Sequence, residues 1–509
     1  MTTARFPRPP KTLATILLVA AGASMTYVAP ALGRFRPIRP ERALALLSSP
    51  FSGTPTVPLV VRFVREEVEP EAREERSDPP AAGGGPGAGP RPVVPRRPGL
   101  GAIAEDGPTV PVEDPTGQLG CFFEKLERTE AGEAGAVTRI SHFGDSPLTG
   151  DMISGDARSR LQKAFGDAGH GFVLAGRPWA WYGHRRVSLD ASGWRVLSPI
   201  LVPGNGGFHG LAGVTFASGG GARTEIGLEK SAFTRLEVTF ARQPGGGTLL
   251  VSVDGGEEEA VPTGGPARET DSFSRAVPAG GRKVVLRPKG DGEVAVHGVV
   301  LENDGPGLVY DALGANGGSV RFLTLLDAAA WEKALALRGS DLVILGYGTN
   351  ESGTWGIPGP RYRHDYAEVV GRIRRALPGA AILLVAPMDR GVRGESGEIV
   401  TMESIPKIVE AQRRAARENG VAFFDTFAAM GGEGTMARWY ESEPRLVTAD
   451  FTHTTFAGSA RVARLLVGAL GRAYEAWKEA RRPQAEVPPE APVPAAAPAA
   501  PGSEVPPGS

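Results

Sequence analysis

The sequence of 509 residues contains a single cysteine, Cys121, and only seven histidines. One cysteine excludes an internal disulfide framework and any metal site built from several thiolates. The histidines show no H-x-x-x-H or comparable spacing, so the sequence predicts no structural metal. Cys121 follows Gln-Leu-Gly too far into the chain to end a lipoprotein signal, and we expect a partly buried small side chain there.

An excess of basic residues is also absent. The 56 Lys+Arg residues balance 57 Asp+Glu residues, which gives a formal net charge of −1. Proteins that bind nucleic acids show a basic patch or stripe, so we expect no nucleic-acid partner. The length of the chain predicts more than one domain, or one domain with long tails.

The N-terminus, residues 1–33, has the pattern of a targeting segment. Arg5, Arg8 and Lys11 precede an uncharged, mostly apolar run from Thr12 to Gly33. A basic stretch before an apolar run is typical of a signal peptide or a signal anchor. The run is long enough to span a bilayer, which takes about 20 residues. Ala-Pro-Ala at 29–31 offers a cleavage site, although the preceding positive charge favours an uncleaved anchor. Both alternatives place the rest of the chain outside the cytoplasm.

Residues 34–115 and 483–509 are rich in proline, and the longer segment is also rich in charged residues and glycine. Both are poor in aromatic residues, and such a composition cannot bury enough apolar surface to fold. We therefore predict a disordered linker and a disordered tail around a globular part at 116–482.

Strand and helix patterns alternate in two parts of that globular region, 116–182 and 303–482. The apolar runs "AVTRISHF", "DLVILGYG", "AAILLVAP" and "VAFFDTF" are typical of strands that are buried on both faces of a parallel sheet. Amphipathic helices are predicted at 151–165, 365–377, 404–418 and 455–481. Repeated strand–helix units predict an α/β fold with a doubly wound, mainly parallel sheet.

Residues 183–302 show no helical period. They contain short alternating runs instead, such as "TRLEVTFA", "GTLLVSVDG" and "RKVVLRPKG", which are separated by glycine-rich turns. This pattern predicts an inserted all-β module, either a sandwich or a jelly roll.

Several residues with chemical potential follow the predicted parallel strands, at the edge where an open α/β sheet binds ligands. Ser146 comes directly after the first strand, Gly317 lies in the segment "YDALGANGGSV", and Asn350 comes after "DLVILGYG"; Asp450 and His453 precede the last helix. Taken singly, such residues are also ordinary helix caps and turn residues. Together they supply a nucleophile, a base, a carboxylate to orient the base and neutral hydrogen-bond donors, as acyl transfer requires.

These motifs, in this order, resemble those of the SGNH (GDSL-type) hydrolase superfamily, whose fold is flavodoxin-like. The resemblance covers 116–182 and 303–482. It implies that Ser146 is the nucleophile, that His453 is its base and that Asp450 orients His453. It also implies an oxyanion hole formed by the backbone N–H groups of Ser146 and Gly317 and by the side-chain amide of Asn350.

The sequence departs from the superfamily pattern in two places. Gly-Asp-Ser-Pro stands where Gly-Asp-Ser-Leu is usual, and Glu351 stands where an aspartate is usual. Neither change removes a proposed catalytic group. The run "FGDAGHGFV" and the β insert are also similar to bacterial cell-wall O-acetylesterases that carry an inserted carbohydrate-binding-like module.

Four further residues are candidates for binding substrate. Trp179 and Trp181 in "RPWAWYGH" have side chains suited to stacking on a sugar ring, and packing at the root of the insert is the alternative. Asp389 and Arg390 follow another strand, where they would contact substrate or form an ordinary ion pair.

We therefore expect an extracytoplasmic serine esterase that needs no cofactor and removes small acyl groups, acetyl foremost, from a carbohydrate polymer. One alternative is an O-acetyltransferase with the same triad, served by a membrane acyl-donor protein. A second is a lipase-like esterase. The third is a non-catalytic carbohydrate-binding protein, against which the intact triad argues.

Overall fold

The computed structural model describes residues 109–202, 207–354 and 358–482, together with Gly508. The predicted targeting segment (1–33), most of the predicted linker and the predicted tail apart from Gly508 lie outside these residues. Among the described residues, no helix is both long enough and apolar enough to cross a membrane.

The helices are α1 (Gly120–Glu130), α2 (Ser146–Thr149), α3 (Met152–Phe165), α4 (Val320–Thr324), α5 (Ala328–Arg338), α6 (Pro360–Ala376), α7 (Ser404–Asn419), α8 (Thr426–Met430), α9 (Thr435–Glu441) and α10 (Phe456–Arg481), with a short 3₁₀ turn at Glu351–Gly353. Helix α6 begins five residues before the predicted start, because Pro360 occupies its first turn, where a missing N–H costs nothing.

The strands are β1 (Val137–Gly144), β2 (Gly169–Leu174), β3 (Val187–Ser192), β4 (Arg195–Leu197), β5 (Thr215–Ser218), β6 (Arg223–Leu228), β7 (Phe233–Arg242), β8 (Thr248–Val253), β9 (Glu259–Pro262), β10 (Glu269–Gly281), β11 (Lys283–Pro288), β12 (Val294–Glu302), β13 (Gly307–Gly314), β14 (Leu342–Gly346), β15 (Ala381–Val385), β16 (Gly391–Arg393), β17 (Ile399–Thr401) and β18 (Ala422–Phe424).

A five-stranded parallel sheet forms the centre of the α/β part, in the order β13-β1-β14-β15-β18. Numbered along the chain, this is the doubly wound order 2-1-3-4-5, which confirms the predicted fold class. In this order the winding direction reverses between β1 and β14, and ligands bind at the carboxyl ends of the strands there. The loops that begin with Asp145 and Tyr347 therefore border the expected site.

Both faces of the parallel sheet are covered by helices. Successive side chains of a strand point to opposite faces. Val343 and Leu345 of β14 accordingly belong to the core that contains Trp331 of α5 and Tyr366 of α6. Leu342 and Ile344 belong instead to the core that contains Phe122 of α1, Leu161 of α3 and Leu466 of α10. This two-sided burial explains why the strand sequences are continuously apolar.

Two antiparallel sheets form the β part. One has the order β10-β7-β12-β5-β4, with β2 also paired to β12; the other has the order β3-β6-β11-β8-β9. Strand β2 lies within 116–182, which the sequence analysis assigned to the α/β part, yet it pairs with β12 from Leu174 opposite Gly298 onwards. The α/β part thus donates a strand to the antiparallel sheet. Its short apolar sequence is compatible with either kind of sheet, so the pattern alone did not assign it.

Buried ion pairs also join the two parts. Arg338 of α5, 7% exposed, donates to Glu302 at the end of β12 at 2.7 Å and to Asp311 of β13 at 2.5 Å. Arg139 of β1 donates to the same Glu302 at 2.8 Å. Removing one partner of a buried pair leaves an uncompensated charge and is strongly destabilising. Buried apolar side chains from both antiparallel sheets belong to one core, so the two sheets form a sandwich. The ion pairs fasten this sandwich to the α/β part through the sheet that contains β12.

The expectation that Cys121 is partly buried is wrong. Cys121 is exposed in the first turn of α1, where its Sγ lies 3.1 Å from the carbonyl oxygen of Gln118. The neighbouring Phe122 and Phe123, with Leu126 one turn on, take the buried face of the helix. The helical period of α1 turns Cys121 away from that face.

Candidate active site

The serine lies where β1 ends. Gly144 closes the strand, Asp145 follows, and Ser146 begins the four-residue helix α2. Gly144 leaves no room for a side chain, because a Cβ there would lie 2.6 Å from the carbonyl oxygen of Gly346 at the end of β14. The same holds for Gly314 of β13, where a Cβ would lie 2.6 Å from the backbone nitrogen of Thr149. Glycine therefore lets the ends of β1 and β14 approach each other closely, and lets α2 pack against the end of β13.

Ser146, His453 and Asp450 form one hydrogen-bonded chain. The Oγ of Ser146 lies 2.9 Å from Nε2 of His453, and Nδ1 of His453 lies 2.6 Å from Oδ2 of Asp450. A carboxylate only accepts, so Nδ1 carries the proton and donates it to Asp450. Nε2 is then the acceptor of the serine hydroxyl. This is the arrangement in which a histidine can remove a proton from serine.

Asp450 is held as an anion by further donors. Its Oδ1 accepts from the backbone N–H groups of Thr452 and His453, both at 3.0 Å, and from the hydroxyl of Thr448 at 2.6 Å. Burial acts to raise the pKa of Asp450, but these hydrogen bonds and the one from the His453 ring outweigh it and lower the pKa below its usual range. The carboxylate therefore stays charged and fixes the orientation of the ring.

The loop that carries His453 is closed on itself before α10 begins. The backbone N–H of Thr448 donates to the carbonyl oxygen of His453 at 2.8 Å. Phe451 has a φ of 54°, which is uncommon for a residue with a side chain. Its ring is buried and packs edge-on against Tyr440, with ring centroids 5.0 Å apart. This packing holds the turn that aims His453 at Ser146.

The structure also brings together the loops of Gly317 and Asn350. Nδ2 of Asn350 donates one hydrogen to the carbonyl oxygen of Gly318 at 2.8 Å, which leaves its second hydrogen available. Gly317 has a φ of +72°, and a Cβ there would meet no atom within 4 Å. The left-handed backbone favours glycine at this position, and Gly317 is exposed.

The two tryptophans proposed to bind substrate differ in exposure. Trp181 is 64% exposed, and the backbone N–H of Gly183 donates to Thr149 at 3.0 Å, which holds this segment beside α2. Trp179 is 9% exposed and belongs to the apolar core that includes the sandwich, so the packing alternative holds for it. The expectation that Trp179 contacts substrate is therefore replaced by a role in packing.

Asp389 and Arg390 are both engaged by the protein itself. Asp389 is buried, and its Oδ2 accepts the N–H of Met436 at 2.9 Å at the start of α9. Arg390 donates to the carbonyl oxygen of Thr349 at 3.0 Å and to the hydroxyl of Ser352 at 2.8 Å. Because Asp389 is buried and bound to α9, it does not reach substrate. Arg390 stabilises the loop of Asn350 through its hydrogen bonds to Thr349 and Ser352.

Phe456, which no sequence motif marks, is an exposed aromatic residue close to His453 in the chain. It is the first residue of α10, three positions after His453, and is 69% exposed. The guanidinium carbon of Arg185 lies 5.8 Å from the centre of its ring. The sequence signal for Phe456 was its position just after the Asp450–His453 motif. The sequence alone does not show whether an aromatic ring there is exposed or buried.

Asp151, His170 and His184 place potential metal-ligand atoms within 4.8 Å of one another, a grouping that the sequence spacing did not predict. Nε2 of His170 and Nδ1 of His184 lie 3.1 Å apart, and burial lowers the pKa of His184 to about 4. The carboxylate of Asp151 is already occupied: Arg158 binds both of its oxygens, and the backbone N–H of Arg185 donates to Oδ2 at 3.0 Å. A carboxylate so engaged is a poor metal ligand, and we interpret the cluster as a hydrogen-bonded support for the turn between α2 and α3.

Comparisons with known proteins place this geometry in a family context. The model of the GDSL-like lipase/acylhydrolase family matches residues 288–461. The solved structure of a peptidoglycan O-acetylesterase is 25% identical, covers 70% of this chain and 96% of that chain, and has a TM-score of 0.60. A family two carbohydrate esterase from Cellvibrio japonicus is 12% identical over 60% of this chain and 98% of its own, with a TM-score of 0.24. No curated protein sequence matches the chain.

The matched range includes Gly317, Asn350, Asp450 and His453, but it begins well after Ser146. All strands of the two antiparallel sheets, β2 to β12, lie between Ser146 and the other motifs. The likeness to the peptidoglycan O-acetylesterase covers a larger share of the chain than the family match, so it extends beyond 288–461.

Proposed function

We propose that this chain, an ester hydrolase of the SGNH type with a GDSL-like lipase/acylhydrolase domain, removes acetyl groups from an O-acetylated carbohydrate polymer outside the cytoplasm. The observation that carries the proposal is the hydrogen-bonded chain of Ser146, His453 and Asp450. It lies in a fold whose likeness to a peptidoglycan O-acetylesterase covers 96% of that structure. O-acetylated peptidoglycan is therefore the first polymer to test.

The first half of the reaction transfers the acetyl group to the enzyme. The Oγ of Ser146 attacks the ester carbonyl carbon while Nε2 of His453 takes the hydroxyl proton. The carbonyl oxygen becomes an oxyanion, which accepts hydrogen bonds from the N–H groups of Ser146 and Gly317 and from the Asn350 amide. The bond to the sugar oxygen then breaks, and His453 returns its proton to that oxygen. The products are the free sugar hydroxyl and acetyl-Ser146.

The second half repeats these steps with water. His453 takes a proton from the water, whose oxygen attacks the acetyl carbonyl, and the same donors stabilise the second oxyanion. The bond to Oγ of Ser146 breaks, the serine recovers its proton from His453, and acetate leaves. Asp450 stabilises the imidazolium that forms in both halves and is not itself protonated.

Exposed aromatic residues near the triad suit a carbohydrate. Trp181 and Phe456 are 64% and 69% exposed, although large aromatic side chains usually bury most of their surface. Aromatic rings pack against the apolar C–H faces of sugar rings while the hydroxyl groups stay hydrated. We assign these two residues to polymer binding beside the acetyl group.

The sequence before the globular part supports a location outside the cytoplasm and hydrolysis rather than transfer. The targeting pattern at 1–33 precedes a linker of some 80 residues that would give the domain a wide reach. An esterase acting on a surrounding polymer gains from reach alone. A transferase supplied by a membrane protein would have to return to the membrane in each cycle.

The test is to incubate the purified full chain with O-acetylated peptidoglycan, other acetylated glycans and a chromogenic acetyl ester, each with and without an acceptor oligosaccharide. Mass spectrometry follows free acetate and acetylated acceptor. Free acetate as the main product supports the proposal. Acetylated acceptor in excess of acetate would establish a transferase instead, and cleavage of lipid esters without action on any glycan would establish a lipase-like esterase.

A further inference from the structure

The three donors assigned to the oxyanion hole stand on three separate loops. Ser146 follows β1, Gly317 follows β13 and Asn350 follows β14. The ladders of the parallel sheet end before any of these residues. Catalysis by such donors depends on their spacing, so contacts between the loops have to fix it.

Glu351 makes one such contact. It directly follows Asn350, is 5% exposed, and its Oε1 accepts the backbone N–H of Val320 at 3.2 Å. Val320 follows the turn that contains Gly317. The side-chain amide of Asn350 makes a second hydrogen bond between the Asn350 loop and the Gly317 turn, because it donates to the carbonyl oxygen of Gly318. The loops of two oxyanion donors are thus joined by two neighbouring side chains.

Asp145 makes the corresponding contact on the other side. It directly precedes Ser146, is 3% exposed, and its Oδ2 accepts the backbone N–H of Thr349 at 3.3 Å. The carbonyl oxygen of the same Thr349 accepts from Arg390 at 3.0 Å. The Asn350 loop is therefore held to the serine loop by one buried carboxyl group and to the Gly317 turn by another.

We propose that Glu351 is a positioning residue, whose side chain sets the separation of the Gly317 and Asn350 loops and so keeps the three donors on one oxyanion. The inference rests on the proposed function only in that the reaction passes through an oxyanion bound to Ser146. Aspartate, the usual residue at this position of the superfamily pattern, is shorter by one carbon–carbon bond of about 1.5 Å. From this backbone it would not span the gap to Val320.

The hydrogen bond from Val320 to Glu351 does not require a negative charge on the Glu351 carboxyl group. A negative charge on Glu351, which directly follows the proposed donor Asn350, would oppose the charge that develops on the oxyanion. Burial, and to a smaller extent the nearby Asp145, raises the pKa of Glu351 to about 8, and burial raises the pKa of Asp145 to about 7. A protonated carboxyl group still accepts the Val320 N–H through its carbonyl oxygen. Near neutral pH, Glu351 therefore supplies the contact in its neutral form.

Among the residues that the structure describes, the groups that face Glu351 do not supply a compensating cation. They are the buried hydroxyls of Tyr347, Tyr362 and Tyr366, whose pKa values burial raises, and the carboxyl group of Asp145. His453 interacts with Asp145 from the triad side, and Arg390 binds the Asn350 loop through Thr349 and Ser352. Within the described residues, Oε2 of Glu351 has no hydrogen-bond partner.

This arrangement predicts a loss of activity at alkaline pH. Asp145 ionises near pH 7 and Glu351 near pH 8, and each ionisation adds a negative charge to the loops that carry the oxyanion donors, so kcat falls in two steps. Stability changes in the same direction. The folded-state pKa of Glu351 lies above its ordinary value of 4.5, so the native state holds a proton that the unfolded state has lost between these two pH values. The free energy of unfolding therefore falls as pH rises through that window.

The experiment uses the full chain with Glu351→Gln, Glu351→Ala and Glu351→Asp, and Glu403→Gln as the control, because Glu403 is 88% exposed at the start of α7. Two readouts are followed from pH 6 to 10: kcat and KM on a chromogenic acetyl ester, and the rate at which a serine-directed phosphonate labels Ser146. The rate of phosphonate labelling depends on the oxyanion donors around Ser146, so it tests their positions whatever the natural substrate is. A wild-type chain that is labelled but releases no acetate from any glycan would refute the proposed function and leave this test intact.

At pH 7 we expect Glu351→Gln to stay within about twofold of wild type, because its amide oxygen still accepts the Val320 N–H. It should lose the step of the fall in kcat near pH 8 and keep the step near pH 7 that comes from Asp145. Glu351→Ala and Glu351→Asp should lower kcat and the labelling rate by about 10- to 100-fold with KM nearly unchanged, since misplaced donors act on the transition state. Glu403→Gln should match wild type. Wild-type kcat and labelling in folded Glu351→Ala would overturn the proposal, and so would an unchanged alkaline fall in Glu351→Gln. If Glu351→Ala does not fold, the pH profile of Glu351→Gln decides.

Discussion

Replacing Asn350 by alanine removes one of the three proposed oxyanion donors and leaves the triad in place. In the structure one amide hydrogen of Asn350 is used on Gly318 at 2.8 Å, and the other is free for the oxyanion. Losing one such donor costs the transition state about 3–4 kcal/mol, which lowers kcat by about 10²–10³-fold. The neutral ester carbonyl gains less from this donor, so KM should change by no more than about threefold. The lost bond to Gly318 should lower the free energy of unfolding by only about 1 kcal/mol.

The assay is steady-state hydrolysis of a chromogenic acetyl ester, with thermal unfolding measured in parallel. Asn419→Ala is the matched control, because Nδ2 of Asn419 also donates to a backbone carbonyl at 2.8 Å, that of Ala415 at the end of α7. This control should lose a similar amount of stability and keep its kcat. An Asn350→Ala variant with raised KM and unchanged kcat would refute the reasoning and show that Asn350 holds substrate instead.

Two further predictions concern the residues around the triad. Trp181→Ala should lower kcat/KM on acetylated polymer by about fivefold and leave the chromogenic ester unaffected, because a stacked ring contributes about 1 kcal/mol; equal losses on both substrates would mean that Trp181 shapes the catalytic site. Asp151→Ala leaves the buried Arg158 without its counter-charge and should lower the free energy of unfolding, measured by chemical denaturation, by about 3–5 kcal/mol. Glu133→Ala, which breaks the exposed pair with Arg128, should leave the denaturation midpoint unchanged, and an unchanged midpoint in Asp151→Ala would contradict the role given to that carboxylate.

The α/β sheet could be predicted from sequence because its strands are buried on both faces. Continuous apolar runs such as Leu342–Gly346 separated by amphipathic helices such as Ser404–Asn419 have few other solutions. The site followed from the same logic, since the carboxyl ends of parallel strands share one edge of the sheet. Strand β2 could not be assigned, because its partner β12 lies more than a hundred residues further along the chain.

The contacts between loops were also beyond sequence reasoning. Glu351 was visible as a departure from a motif, but its bond to Val320 depends on how the ends of β13 and β14 face each other. Asp389 has the position of a substrate contact in sequence, and only the folded chain shows its carboxylate bound to Met436 of α9. Such roles depend on distances between residues that are remote in sequence, which neither periodicity nor spacing encodes.

The central claim is that Ser146 is the nucleophile of an esterase acting on an acetylated glycan, and acetate release by Ser146→Ala tests it most directly. Purified wild-type and Ser146→Ala chains are incubated with O-acetylated peptidoglycan, and free acetate is measured over time after both have been shown to unfold with the same midpoint. We predict that wild type releases acetate and that the variant is slower by about 10³-fold or more, because a triad acts as a unit. Acetate release by Ser146→Ala at the wild-type rate would contradict the account.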